Sequence, residues 1–222
     1  MPLAGPTSAS AWSKHLRISA QGAQGRGGLA GKRSRPHMAA AALFLLLAGC
    51  GGSPLATFDL SAPRNGLPTR STRQQLIVLE PNATPPLDGD RIVVRTGPEA
   101  VAFLSGAQWS DRLPRLIQTR LIQTFENGRS LRSVGRPGDK MVADATLGME
   151  IRRFEMDVAS GQAVIEISVK LVGETSGRVI DARIFSARAP GPPGEGAGAA
   201  AALDDALAQT LRQIVAWTDT RT

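Results

Sequence analysis

The chain has 222 residues, with 26 Lys and Arg against 19 Asp and Glu, which gives a formal net charge of +7. The excess positive charge precedes Cys50: six basic and no acidic residues lie there, which leaves 20 basic against 19 acidic residues afterwards. The residues after Cys50 are thus nearly neutral and contain no Lys/Arg cluster, so they lack the concentrated positive charge of a nucleic-acid-binding protein. Both histidines, His15 and His37, precede the single cysteine. The remainder therefore cannot form a Ser-His-Asp or Cys-His catalytic centre, a Cys/His zinc site or an internal disulfide.

The residues before Cys50 have the organisation of an export signal. Residues 1–37 are rich in Gly, Ala, Ser and Arg without apolar periodicity, and we expect them to be unstructured. The apolar run 39–48 follows, which is ten residues long, whereas a helix that spans a bilayer needs about 20. This length is typical of the apolar region of a signal peptide. We therefore predict that residues 1–49 are a signal peptide with an extended basic leader.

The four residues Leu47, Ala48, Gly49 and Cys50 have the pattern of a bacterial lipobox. Small residues before the cysteine would allow an extended backbone to enter a signal-peptidase cleft, and the thiol would then accept a diacylglycerol. The alternative is a short buried helix that ends in cysteine, but the glycines on both sides of it would break such a helix. We predict a lipidated tether over 50–55, a single folded domain over 56–222, and no cofactor besides the covalent lipid on Cys50.

The first half of the domain combines short strands with one helix. A helix is predicted over 109–127 because large apolar residues recur on one face, with Ser110 as its N-cap and Pro114 near the first turn. Short apolar segments predict strands, two of which form a hairpin over 91–104. These strands are expected at 56–60, 76–79, 92–94, 100–104 and 131–134.

The second half of the domain carries the strongest strand signal. Apolar and polar residues alternate from 143, change phase at Arg152 and Arg153, and continue to 156, which predicts a strand with a β-bulge. Two further alternating segments complete a three-stranded antiparallel meander with one solvated face. A Pro/Gly linker over 189–198 and a second amphipathic helix over 199–218 follow. The pattern predicts an α+β fold, a single domain with an antiparallel or mixed β-sheet and both helices packed on one face.

Few residues of the domain invite a chemical role. Asp88 and Asp90 resemble a metal or acid/base pair, although Asp and Gly between prolines and a strand usually form a turn. Neighbouring aspartates near the start of the second helix suit its positive end. A carboxylate-only enzyme, such as a glycosidase, needs two acidic residues in one cleft, and no such constellation is evident. We therefore predict a protein that is not an enzyme.

Three side chains are candidates for contact with a partner or a lipid. Trp109 could stack on a partner or lie at a lipid surface, although a Trp between a strand and a helix is more often part of the core. Arg152 and Arg153 could contact lipid phosphates, although a solvated pair at a bulge is the more common arrangement. All three are kept as possible contact residues.

The order of short motifs in the domain resembles the ABC-type transport auxiliary lipoproteins, which include a paraquat-inducible outer-membrane lipoprotein. The small-polar-Trp-polar stretch 107–110 before Pro114 is the most specific of them, and Phe58 departs from the pattern because Tyr is expected there. The resemblance covers nearly the whole chain after Cys50. Its landmarks are Phe58-Asp59-Leu60, Leu87-Asp88, Ile92-Val93-Val94-Arg95, Ala107-Gln108-Trp109-Ser110, Leu113-Pro114 and Ala143-Asp144.

This resemblance implies a role without a chemistry. Such lipoproteins accompany an ATPase, a permease and a mammalian-cell-entry (MCE) domain protein that move lipids or hydrophobic solutes across the envelope. The chain would be anchored at the periplasmic face of the outer membrane, since Gly51 replaces the Asp that typically retains lipoproteins in the inner membrane. The alternative is an envelope lipoprotein that scaffolds or regulates another periplasmic machine, such as a wall synthase or a secretion channel.

Overall fold

The computed structural model describes residues 55–66 and 72–221, which form an α+β domain with one open nine-stranded sheet. Two α-helices lie in this part of the chain, α1 (Leu113–Gly128) and α2 (Gly196–Asp219). A 3-10 turn spans Pro85–Leu87. The strands are β1 (Ala56–Phe58), β2 (Gln75–Val78), β3 (Asn82–Ala83), β4 (Arg91–Arg95), β5 (Val101–Trp109), β6 (Ser133–Gly135), β7 (Ala145–Asp157), β8 (Gln162–Gly173) and β9 (Val179–Pro190).

The long strand β7 organises the sheet. One of its edges pairs antiparallel with β8, and β8 pairs antiparallel with β9, so the predicted meander is confirmed. Three short strands share its other edge in parallel orientation: β2, β3 and β4. The sheet continues from β4 through the predicted antiparallel partner β5 to β1, and from β2 to β6. The sheet is mixed because β2, β3 and β4 run parallel to β7, whereas β8 runs antiparallel to it.

Both helices cover one face of this sheet, and the core lies between them and the strands. The predicted apolar stripe of α2 is buried, from Leu203 to Trp217. Two edge-to-face aromatic pairs fill the two ends of the core, Trp109 with Phe154 at 5.9 Å between ring centroids and Phe185 with Trp217 at 5.6 Å. Aromatic pairs in this geometry contribute beyond the area they bury.

The bulge in β7 is confirmed, since its register against β8 shifts between Ile151 and Arg153. The extra residue changes which side chains point toward the helices. Before it Met149 and Ile151 are buried, and after it Phe154 and Met156 are. An apolar pattern that changes phase without a turn is the sequence signature of such a bulge.

The predicted start of the first helix is wrong. Trp109 ends β5, and α1 begins at Leu113 with Arg112 as an N-cap that makes no side-chain capping bond. Backbone pairing overrides the helical pattern here, because the Trp109 amide donates to the Asp90 carbonyl at 2.7 Å and the Ser110 amide donates to Phe58 at 2.7 Å. The helix instead begins beside its N-terminal proline, whose fixed φ suits the first turn.

The predicted Pro/Gly linker over 189–198 is also shorter than expected. β9 extends to Pro190 and α2 begins at Gly196, so the chain reverses within five residues. The glycines of this corner permit close packing. A Cβ atom on Gly191 would lie 2.4 Å from the Cβ of Ala202, and one on Gly198 would lie 2.4 Å from Cγ of Pro192.

We expect Gly191→Ala to lower the free energy of unfolding by about 1–3 kcal/mol, because an added methyl group would force α2 away from β9. Gly194→Ala is the matched control in the same corner, since a Cβ there meets no atom within 4 Å. Urea unfolding of the two variants measures the difference. Equal urea midpoints for the two variants would show that the corner accommodates the methyl group at position 191 without loss of stability.

Candidate interaction surfaces

The predicted lipidation site and signal-peptidase site, Leu47 to Cys50, lie outside the described residues and stay predictions. Within residues 55–66 and 72–221, no group of three or more His, Cys, Asp or Glu side chains is placed to hold a metal ion. Across those same residues, neither helix is long and apolar enough to cross a membrane.

The acidic pair Asp88 and Asp90 belongs to a turn that fixes the start of α1. The Arg112 guanidinium forms ion pairs with Asp88 and, at 3.0 Å, with Glu80. The carbonyl of Gly89 accepts a 2.9 Å hydrogen bond from the backbone of Leu113. The carboxylate of Asp88 is thus neutralised by a cation, as in the turn interpretation.

Asp204 of the second helix has a different role from the predicted one, whereas its neighbour Asp205 is exposed to solvent. Because α2 begins at Gly196, Asp204 lies more than two turns inside it and does not complement the helix dipole. Its carboxylate accepts hydrogen bonds from the backbone amide and hydroxyl of Ser61, at 2.7 and 2.6 Å. Asp59 forms a 2.5 Å ion pair with Arg120 of α1. These two contacts fasten the segment after β1 to both helices.

The face of the sheet opposite the helices, the open face, carries exposed apolar side chains toward the ends of the sheet, such as Phe103 and Ile184, whereas Val93 and Val164 between them are buried. The strand registers align one row across five strands, from Phe103 on β5 through Val93, Glu155 and Val164 to Arg188 on β9. Phe103 is 46% exposed, and the guanidinium of Arg91 lies 5.1 Å from the centre of its ring. At the spacing of strands, this row is about 19 Å long.

Arginines and one buried carboxylate occupy the middle of the open face. Glu155 has a side chain only 3% exposed and accepts from Nε and NH2 of Arg95, at 2.7 and 3.0 Å. Arg153 donates to the same carboxylate at 2.7 Å. The bond to Glu155 raises the pKa of Arg95 above its ordinary value.

The three candidate contact residues are placed differently by the structure. Trp109 is 1% exposed and lies in the core, so its side chain is not presented to a partner or a lipid. Arg153 is held by Glu155, and Arg152 forms a partly exposed 3.4 Å pair with Glu166. Both arginines therefore have carboxylate partners at the bulge, the arrangement that the sequence favoured over lipid phosphate contact.

A groove of about 390 Å³ lies on the same open face, between β3, β7 and β8. Its charged groups are one carboxylate, Glu150, and one ammonium, Lys170. The groove therefore lacks the paired carboxylates that acid/base catalysis without histidine would need. Its other lining residues are Asn82, Ala83, Thr84, Gly148, Met149 and Ser168.

The long outer strand β9 forms one end of the sheet. It pairs with β8 over its length, and none of the described strands pairs with its other edge. Ile184 on its open face is 51% exposed, whereas its neighbour Phe185 is buried beneath α2. The alternating pattern predicts this strand but not its position, because alternation reveals which residues share a face and not whether the strand lies at an edge.

A buried carboxyl lies at the end of α2. Asp219 is 8% exposed, and neither of its oxygens has a hydrogen-bond partner of accepted geometry within the described part of the chain. Burial raises the pKa of Asp219 above its ordinary value of 3.8, although the nearby Ser130 hydroxyl lowers it in part. A carboxyl with a raised pKa binds its proton more tightly in the folded chain, so stability falls as pH rises from 3.8 through the folded pKa.

We expect Asp219→Asn to stabilise the domain at pH 7 by on the order of 1 kcal/mol, because it removes a buried unpaired charge. The gain should vanish below pH 3.8, where the carboxyl is neutral. Asp157→Asn is the control of opposite sign: the Ser160 hydroxyl lowers the pKa of Asp157, so its stabilising effect is present at neutral pH and lost in acid. Thermal unfolding between pH 3 and 7 measures both. A destabilised Asp219→Asn protein at pH 7 would contradict the assignment.

The fold and its surfaces define a class: an α+β domain whose helices cover one sheet face, with an open second face and a long outer strand. The chain belongs to the family of ABC-type transport auxiliary lipoprotein components, whose model matches residues 57–215. The family and the fold class that the sequence indicated are therefore confirmed. The family is described as an auxiliary lipoprotein component of ABC-type transport.

Individual relatives agree with this membership. An uncharacterised protein of Bradyrhizobium diazoefficiens is 31% identical over 175 residues, which cover 76% of this chain and 46% of that protein. The chain thus matches less than half the length of that relative. A crystal structure of a Xanthomonas campestris protein is 28% identical, with a TM-score of 0.65, over 75% of this chain and 95% of that one. A second solved structure, at 17% identity and a TM-score of 0.59, shares the fold over 74% of this chain and 99% of its own.

Proposed function

We propose that this chain is an outer-membrane lipoprotein, anchored through acyl groups on Cys50. It performs no reaction itself and serves as the auxiliary component of an MCE-type ABC transporter. Its partners are the MCE-domain protein, the permease and the ATPase of that system, which moves lipids or hydrophobic solutes across the envelope. The observation that carries the proposal is the match of the auxiliary-lipoprotein family over residues 57–215.

The distance between the lipobox and the domain supports an anchor close to the domain. β1 starts at Ala56, six positions after Cys50, and an extended chain covers at most about 3.5 Å per residue. The start of β1 would therefore stay within about 21 Å of the backbone of Cys50. Contacts of Asp59 and Ser61 with the helices hold the segment directly after β1 against the domain. A lipid on Cys50 would therefore restrict the orientation of the domain as well as its distance from the membrane.

We expect Cys50→Ala to abolish acylation and to release the protein from the outer-membrane fraction. Intact mass and membrane fractionation in a Gram-negative host measure both. Gly51→Asp is the matched control, because it keeps the acceptor thiol and supplies the residue that typically retains lipoproteins in the inner membrane. An acylated Gly51→Asp protein in the inner membrane would support the proposal. A wild-type chain that keeps residues before Cys50 would overturn the anchor.

The partner is tested by cross-linking and purification of the acylated protein in mild detergent. Recovery of an MCE-domain protein with its permease supports the proposal, provided that Cys50→Ala reduces the yield from intact cells. Recovery of a wall synthase or secretion channel without any MCE-domain protein would contradict it and favour a scaffolding role in another envelope machine.

A further inference from the structure

We propose that the free edge of β9 is a docking strand, which binds an extended acidic segment of another protein by adding that segment to the sheet. This inference is independent of the proposed function, because it concerns the edge itself and holds for whichever envelope machine the domain serves. The edge consists of β9, Val179–Pro190, together with Arg178 directly before it.

The length of β9 makes its edge a site for strand addition. The strand has 12 residues, which corresponds to about 40 Å, and no described strand pairs with its outer side. The other two end strands of the sheet, β1 and β6, have three residues each. Unpaired backbone N–H and C=O groups on a long edge are a template for another strand.

The charge of this edge selects the partner. Arg178, Arg183 and Arg188 form no ion pair with any described residue. The one acidic residue of β9, Asp181, is occupied, because its carboxylate accepts from Arg221 and, at 3.2 Å, from Trp217 Nε1. The bond from Arg221 lowers the pKa of Asp181, which therefore stays ionised and paired at neutral pH. β9 thus carries guanidinium groups without an ion pair in the described part of the chain on both faces of the sheet: Arg183 on the helix face, 5.3 Å from the centre of the Phe185 ring, and Arg188 on the open face.

Exposed apolar side chains lie on the same strand. Val179, Ile180 and Ile184 are each about half exposed, and β-branched residues pack well against their counterparts across a strand pair. Because Arg183 and Arg188 lie on opposite faces, a segment with Glu or Asp on both of its faces and a β-branched residue opposite Ile184 would match both features. Its carboxylates would pair with the arginines while its backbone extends the ladder.

A second copy of this chain fits the edge poorly. Antiparallel pairing of two β9 strands about a two-fold axis would place both sets of three arginines along one seam. Like charges on neighbouring strands are destabilising. Arginines on an edge strand also protect against aggregation. The positive charge that repels a second copy would attract an acidic strand.

The test uses the full chain with Cys50→Ala and two labelled 12-residue peptides, which repeat Val-Glu-Glu and Val-Lys-Lys so that charged residues lie on both faces of the added strand. We expect the acidic peptide to bind by fluorescence anisotropy and to slow amide hydrogen exchange within 179–190. Binding should weaken at least tenfold in Arg183→Glu/Arg188→Glu and with added salt. Arg115→Glu, an exposed cation on α1, is the control and should leave binding unchanged.

The contrary outcomes are equally specific. Equal binding of the lysine peptide, binding that survives the double substitution, or no binding by either peptide would overturn the proposal and leave the arginines as guards of the edge. Self-association through β9 in sedimentation, without peptide binding, would overturn it in favour of a second copy. Binding to anionic phospholipid vesicles that requires Arg183 and Arg188, again without peptide binding, would overturn it in favour of a lipid surface.

Discussion

Replacement of Trp109 by Ala is expected to lower the free energy of unfolding by about 3–5 kcal/mol, a large part of the stability of a domain of this size. The side chain is 1% exposed and packs edge-to-face on Phe154, the first buried residue after the β7 bulge. Its removal leaves a cavity in the core beside Phe154. Because Trp109 also ends β5 one turn before α1, the loss should loosen the helix start too.

Trp109→Phe is the matched control. It keeps an aromatic ring against Phe154 and removes the indole N–H, which is buried without a hydrogen-bond partner among the described residues. We expect it to cost clearly less than the alanine variant, and urea unfolding with a common m-value measures the difference. If Trp109→Ala left stability unchanged but abolished partner binding, the tryptophan would be a contact residue and not part of the core.

The meander was predictable because its information is local. The alternation in β7, β8 and β9 marks one face of each strand, and the phase change at Arg152 and Arg153 marks the bulge. Short turns then force neighbours in sequence to be neighbours in the sheet. The two helices were predictable for the same reason, since their apolar residues recur with helical spacing.

The predictions were wrong where contacts between residues far apart in the sequence determine the local structure. Trp109 fits a helical pattern, yet its amide bonds Asp90 and so belongs to a strand. The Pro/Gly corner after β9 looks flexible in sequence, whereas Gly191 is required by the close approach of Ala202. Asp204 resembles a dipole-complementing residue, but its bonds reach Ser61, 143 positions away.

The candidate surfaces were less predictable than the fold. An edge strand and an inner strand can carry the same alternating pattern, so the exposure of the β9 edge follows only from the order of strands. The bulge arginines were identified, but their partner was not. Parallel pairing of β4 with β7 brings Arg95 beside Glu155, which is 60 positions away in the sequence. The local sequence pattern of a strand does not predict which strand will be its parallel neighbour.

That charged cluster supports the second large prediction: we expect the double variant Arg95→Met/Arg153→Met to lose about 3–5 kcal/mol of unfolding free energy. The two arginines form the ion pairs of Glu155 within the described residues, and the Glu155 side chain is 3% exposed. Each single variant leaves the carboxylate one guanidinium, so each should cost much less than half of the double variant. The loss is thus expected to be strongly non-additive, and a double-mutant cycle in urea measures the coupling.

The partner carboxylate provides the decisive control, because an unpaired buried charge and lost packing predict different results for Glu155→Met. If charge dominates, adding Glu155→Met to the double variant should restore most of the stability, since a buried ion cluster replaced as a whole by apolar side chains is often neutral. If packing dominates, the triple variant should be the least stable of the series. Arg152→Met at the same bulge removes only the partly exposed pair with Glu166, and it should change stability by less than about 1 kcal/mol.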